Sequence, residues 1–344
     1  MTDERARLEP IDRAWSLVDG GPETSWDAPS RFGPIGLLGR RLLMRVLRPY
    51  VVRRREVDRA LMQAIRAVPA RRPAAVTMHD AETQSARPRV LEHAVRLPED
   101  AEEIETDLGN MLFDSRDWNL TAIVRQDRQW EADVSGFIRR RLAAGMHFVD
   151  VGAHVGYFSV LASRIVGETG QVFAVEVEPR NLELLRANLW RRRCDNVTVL
   201  PVAAYEHRGH VRFVSNADAL SGSSIDADEG KAASMVPCAR LDELLGDTSV
   251  DVIKIDVERS EPAVVRGTEA IIRAAPTLDI VTEFWPTDPS YGGRSPAEVL
   301  DYYESLGFEL RLLNQDGSTE PATPPQVLDR GKAGPLMYIV LRKG

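Results

Sequence analysis

The chain has 344 residues, 43% of them hydrophobic and 28% charged, with a formal charge of −8 and a sequence pI near 5.4. Composition of this kind excludes a wholly disordered chain, a collagen and a disulfide-stapled miniprotein, and the acidic balance argues against a general nucleic-acid binder. Two cysteines, Cys194 and Cys238, lack metal-ligand spacing and fit a reducing cytoplasm.

The N-terminal part carries charge of the opposite sign. Residues 28–55 hold eight arginines and no acid, so this segment is +8 and the remainder −16. Leu37, Leu38, Leu42, Leu43, Val46 and Leu47 lie among the arginines in an amphipathic helical pattern that Pro49 ends, and a second helical pattern runs through Val57, Leu61 and Ile65. Two readings stand for residues 28–68: an arm that docks on an anionic membrane surface or a protein partner, or a helical cap whose arginines pair with the acidic remainder. Residues 69–88, rich in Pro, Ala and polar side chains, read as a linker, and an acidic stretch at 92–107 and a strand-and-loop region at 111–129 follow.

From Trp130 onward the pattern becomes regular. Short apolar runs at 147–151, 171–176, 197–202, 250–256, 278–283, 308–313 and 336–341 alternate with helical periods at 155–166, 180–190, 260–274 and 296–306. The stretch between 202 and 238 reads as irregular. This alternation predicts an α/β fold with a mostly parallel sheet, covered on both faces, that binds its ligand at the carboxyl ends of the strands.

The residues after those strand ends carry the chemistry. Behind the first regular strand stands Asp150-Val-Gly152-Ala-His154-Val-Gly156. A dinucleotide turn needs G-x-G-x-x-G, and this run fails it in either register, which disfavours a pyrophosphate. A smaller zwitterion fits better, with Asp150 toward an ammonium group and the backbone N–H groups toward a carboxylate. Glu176 closes the next strand about twenty residues later, where a carboxylate holds ribose hydroxyls. Glu178, just ahead of Pro179, reads as a helix-start acid. A glycine turn and a ribose acid without room for a pyrophosphate describe S-adenosyl-L-methionine.

Further on, Lys254, Asp256 and Glu258 crowd one strand end and Glu283 the next. Burying such charges is costly unless a site uses them. The bland alternative has Glu258 and Glu261 capping the following helix while Lys254 pairs with one of them. Leu220–Ile225, with Asp218, Asp226, Asp228 and Glu229 around it, is either a lid over the acceptor or a loop without a role.

The runs FVDVGAHVGYFSVLAS, FAVEVEPRNLELLRANL and IKIDVERSEPAVVRG, with TEFWP and Leu241-Asp242, resemble the FkbM family of S-adenosylmethionine-dependent methyltransferases from about Trp130 to Gly344. The resemblance implies a class I, Rossmann-like fold: a seven-stranded sheet whose last strand runs antiparallel. It implies Asp150, Gly152 and Gly156 as the glycine motif, Glu176 as the ribose acid, and Asp256, Glu258 and Glu261 as the acidic element. Two departures are His154, where the family has Asn, and Arg259, where it has Gly. Asp256 or Glu258 is expected as the base that deprotonates an acceptor hydroxyl, with His154 competing and also counted among the cofactor-binding residues. No metal site is expected; the alternative is a divalent cation on Asp256, Glu258 and Glu283.

The expected organisation is a basic helical extension over 1–75, a linker over 76–110 and a methyltransferase domain over 111–344. The expected function is O-methylation of a sugar, glycan or natural-product hydroxyl in the cytoplasm, with a small-molecule or glycan acceptor and no nucleic-acid partner. The rival readings are a nicotinamide-dependent oxidoreductase and an inactive cofactor-binding scaffold working through its N-terminal helices.

Overall fold

A computed structural model describes residues 100–215, 224–225, 233–334 and 336–344. The basic extension, the linker and most of the 216–232 loop therefore lie outside the described residues, along with the readings placed on them.

The described part begins with a hairpin, β1 (Ala101–Thr106) and β2 (Gly109–Asp114), which runs across position 110. Two helices follow, α1 (Trp118–Asp127) and α2 (Ala132–Arg141). The regular alternation then opens with β3 (His147–Val151), α3 (Tyr157–Val166), β4 (Gln171–Val175), α4 (Pro179–Arg192) and β5 (Val197–Leu200). A small four-stranded sheet comes next, formed by β6 (Ala203–Ala204), β7 (Gly209–Val214), β8 (Ser224–Ile225) and β9 (Ser234–Ala239). The chain continues with α5 (Leu241–Leu245), β10 (Val252–Ile255), α6 (Glu261–Arg266), α7 (Glu269–Ala274) and β11 (Leu278–Phe284). It ends with α8 (Pro296–Ser305), β12 (Glu309–Leu313), β13 (Thr319–Pro321), α9 (Pro324–Arg330) and β14 (Met337–Lys343).

The central sheet has the order β13-β12-β14-β11-β10-β3-β4-β5. β5, β4, β3, β10 and β11 are mutually parallel, and β14 enters antiparallel between β11 and β12. The expected seven strands and reversed last strand are present, and the short edge strand β13 makes eight. Strands β3, β4, β10 and β11 are buried almost throughout, which is why they read as continuous apolar runs. Alternate side chains go to opposite faces. Phe148, Val172 and Val252 join a core with α2, α3 and α4, whereas Val149, Phe173 and Ile253 join one with α5 to α9.

Local chemistry fixes the element ends. Glu178 caps α4 with Pro179 at its first position, and Ser295 with Glu298 forms a reciprocal capping box at α8. The helix expected over 260–274 is two helices, broken at Gly267. A Cβ on Gly267 would stand 2.1 Å from the Tyr205 carbonyl oxygen, so the break lets this backbone pass against the small sheet. The segment expected to be irregular after residue 202 is that small sheet, whose two-residue strands β6 and β8 leave no periodicity to read. Helix α1 was likewise unforeseen within the region read as strand and loop.

Cys194 and Cys238 are buried free thiols. Among the described residues no helix is long and apolar enough to cross a membrane.

Candidate active site

The turn after β3 is built on positive backbone angles: φ is 77° at Gly152, 51° at His154 and 89° at Gly156. Glycine is required at two of these places. A Cβ on Gly152 would lie 1.9 Å from the Asp256 carbonyl oxygen, and one on Gly156 would lie 2.5 Å from Leu185 Cδ1 of α4. His154 takes the same conformation despite its side chain, a strain of about 1–3 kcal/mol. A hydrogen bond opposes that cost: the His154 N–H donates to Glu176 Oε2 at 2.8 Å.

Glu176 is the anchor of this end. Its Oε1 also accepts the N–H groups of Val177 and Glu178, both at 2.7 Å. Burial pushes its carboxyl up to about 6, with the three backbone donors pulling the other way. The carboxylate is thereby fixed at the tip of β4 and faces a cavity of about 340 Å³. That volume is within the range of small-molecule sites, roughly 300–1,000 Å³.

The cavity is lined by Gly152, His154, Glu176, Glu178, Asn181 and the apolar Val202, Ala203 and Ala204, together with Glu131, Lys254, Asp256, Glu258 and Glu283. The residues expected at the ends of β3, β4, β10 and β11 thus meet in one space. Gly156 supports it from behind through Leu185. Asp150 lies beneath it: fully buried, it accepts the Ser159 hydroxyl at 2.6 Å and stands 3.9 Å from Lys254 Nζ. Burial raises its pKa despite Lys254.

Lys254 is the cation among these acids. Its Nζ donates to Asp256 Oδ2 at 2.9 Å and to the Gly152 carbonyl at 3.4 Å, and it stands 5.0 Å from the Phe158 ring centroid. Burial opposes its charge, but Asp256, Asp150 and Glu131 outweigh burial and hold it above the usual lysine range. Tyr338, from the antiparallel strand β14, bridges two acids. Its hydroxyl lies 2.8 Å from Glu131 Oε1 and 3.1 Å from Asp256 Oδ2.

Glu131 and Tyr338 are the members that sequence reasoning missed. Glu131 stands at the start of α2 with φ 42° and makes no side-chain cap, and its carboxylate lines the cavity instead. Burial, then Asp256, raises its pKa.

Glu258 lines the cavity with φ 52°, its carboxyl pushed up to about 8 by burial and then by Asp256 and Glu261. Burial and the same neighbours raise Glu283, whose Oε2 accepts the Trp285 indole N–H at 3.1 Å. Glu261 does not cap α6, which has no side-chain cap; from the first position of the helix it holds the loop that leads into it. Its Oε1 accepts the N–H groups of Val257 (3.0 Å) and Arg259 (3.2 Å), and its Oε2 the Tyr291 hydroxyl at 2.9 Å. Arg259 turns to Trp285, 4.8 Å from its ring, and to Asp288 at 3.5 Å. His154 Nε2 is buried, has no hydrogen-bond partner among the described residues and lies 3.8 Å from Asp117 Oδ2; burial lowers its pKa, with Asp117 opposing. From the loop weighed as a lid, Ile225 lines the cavity. Among the described residues no group of three or more His, Cys, Asp or Glu side chains is arranged to hold a metal ion.

A parallel sheet crossing over at β3, a reversed strand beside β11, a glycine turn and an acid at the tip of β4 define a class I methyltransferase fold. Residues 150–310 match the family model of the methyltransferase FkbM domain. Similar curated proteins include one named probable cobalt-precorrin-6B C(15)-methyltransferase (decarboxylating), from Sulfolobus acidocaldarius. It is 41% identical over 76 residues, which is 22% of this chain and 40% of that one. A protein-L-isoaspartate O-methyltransferase of Methanothrix thermoacetophila is 37% identical over 59 residues, 17% of this chain and 28% of its own. The matched stretch thus spans less than half the length of these curated relatives. Among solved structures, a SAM-dependent O-methyltransferase of Thermotoga maritima overlaps 70% of this chain and 77% of its own at 19% identity, with a TM-score of 0.37.

Proposed function

We propose that this chain is an S-adenosylmethionine-dependent O-methyltransferase acting on a hydroxyl of a sugar, glycan or natural-product acceptor. The observation that carries the reading is the single cavity that joins the glycine turn and Glu176 to Asp256, Glu258 and Glu283. The chain's own groups fit the cofactor. Glu176 is held in place at the strand tip where a ribose diol would bind, the turn at Gly152–Gly156 lacks the G-x-G-x-x-G spacing of a pyrophosphate turn, and among the described residues His154 Nε2, Glu178 Oε2 and Asn181 Oδ1 are buried polar atoms without partners.

When bound, the cofactor supplies the methyl group as an electrophilic sulfonium. The protein's part is alignment, exclusion of water and custody of the acceptor's proton. Glu258 is the base we favour. A carboxyl near 8 is matched to a proton transfer near neutral pH, and general base catalysis contributes about 10²–10⁴-fold. Asp256 is engaged by Lys254 and Tyr338, which suits it to hold the acid cluster in place. His154, whose pKa burial lowers, is the competing base.

Methyl-labelled S-adenosylmethionine offered with a panel of hydroxylated glycans and polyketides tests the reading. Label carried by the acceptor as an ether supports it. Label on carbon or nitrogen, or no transfer to any hydroxyl acceptor by protein that binds the cofactor, would overturn it.

A further inference from the structure

The β5 side of the cavity contributes Val202, Ala203 and Ala204, which bring no side-chain donor or acceptor. Polar side chains beside them come from the first turn of α4. Glu178 is its N-cap and Asn181 stands three residues on, and this spacing puts both on one face of the turn. Glu178 is 8% and Asn181 3% exposed, and both line the cavity. Among the described residues each keeps one oxygen without a hydrogen-bond partner, Glu178 Oε2 and Asn181 Oδ1. Glu178 Oε1 accepts from the Arg180 N–H at 3.5 Å, so the other carboxyl oxygen is the spare one.

Buried acceptors are costly to leave unpaired, and two on one helical turn call for a ligand group with two hydrogens to give. An aromatic amino group has them. A carboxamide also sets an acceptor beside a donor, the pattern by which asparagine meets the amino group and adjoining ring nitrogen of adenine. A 6-oxo purine would instead turn a carbonyl oxygen toward both acceptors.

We propose that Glu178 and Asn181 read the exocyclic amino group of the cofactor's adenine and make the site selective for adenosyl over inosyl ligands. The proposal rests on the S-adenosylmethionine reading above.

Calorimetric titration with S-adenosylhomocysteine and with S-inosylhomocysteine tests both, separably. The wild type should prefer the adenosyl ligand by about 100-fold or more. Asn181→Leu should narrow that ratio by about 10-fold, and Glu178→Gln should strengthen inosyl binding, because its amide can donate to the 6-oxo group. A merely structural role for Asn181 would weaken both ligands alike and leave the ratio unchanged, which would overturn the proposal. Equal binding of the two ligands by the wild type would overturn it without any variant, while leaving the cofactor reading intact. Binding of neither ligand would overturn the cofactor reading first, and this proposal with it.

Discussion

Glu258 combines a left-handed backbone, a place on the cavity wall and a carboxyl lifted to about 8 by burial and its acidic neighbours. A base must be ionised to act, so kcat/KM should rise with pH through about 8. Glu258→Gln should remove that rise and lower turnover by about 10²-fold or more while S-adenosylhomocysteine still binds. If Glu258→Gln keeps its turnover while His154→Gln loses it, and the rise lies below the usual histidine range rather than near 8, the base is His154. A second prediction concerns the glycine turn. Gly152→Ala would drive a Cβ to within 1.9 Å of the Asp256 carbonyl oxygen at φ 77°, so cofactor affinity should collapse and the melting temperature should fall. Unchanged affinity and melting temperature would mean that the turn is not held as described. At this scale the sequence was informative wherever a residue ends a strand, which is why Glu176, Asp256, Glu258 and Glu283 could be named from it. Glu131 could not, because its hydroxyl partner Tyr338 is 207 residues away and no local pattern encodes that meeting.

Strand β14 shows how an element shapes the site from a distance. Running antiparallel between β11 and β12, it brings the Tyr338 hydroxyl between Glu131 and Asp256. Tyr338→Phe would leave Glu131 Oε1 without this donor at a buried site, at a cost of about 1–3 kcal/mol in denaturant unfolding. The variant should also shift the pH profile of activity, since both acids lose a shared donor. A loss well under about 0.5 kcal/mol would show that the bridge contributes little. The long apolar runs and the capped helices were legible because each buries a continuous or periodic set of side chains. The small sheet was not: β6 and β8 are two residues each, and their pairing with β9 and β7 joins positions far apart in the chain. Helix α1 escaped for a related reason. It carries an exposed Trp118 and Ile123, which blur its apolar face.

For the molecule as a whole, the concentration of raised carboxyls has a consequence for stability. In an unfolded chain glutamates release their protons near pH 4. In the folded chain Glu176, Glu261 and Glu258 hold theirs to about 6, 7 and 8. The folded state then carries more protons across that window, so this contribution is complete below about pH 4 and is lost as pH climbs through 6 to 8. Asp114 works in the opposite sense: burial pushes it up, but hydrogen bonds from Arg116 and Arg180 outweigh burial and hold it low, and its contribution is lost in acid. The ligand-free protein should therefore melt at a higher temperature at pH 5 than at pH 9. An equal or higher melting temperature at pH 9 would contradict the protonation states assigned to the cavity.

In the proposed function the β4 tip and the glycine turn hold an adenosyl cofactor through Glu176 rather than a dinucleotide. A calorimetric titration of the full chain with S-adenosylhomocysteine, beside NAD and beside Glu176→Ala, tests it most directly. We predict saturable binding of S-adenosylhomocysteine, none of NAD, and a loss of affinity in a Glu176→Ala variant that still melts cooperatively. Binding of NAD in its place, or S-adenosylhomocysteine affinity untouched by Glu176→Ala, would contradict the account.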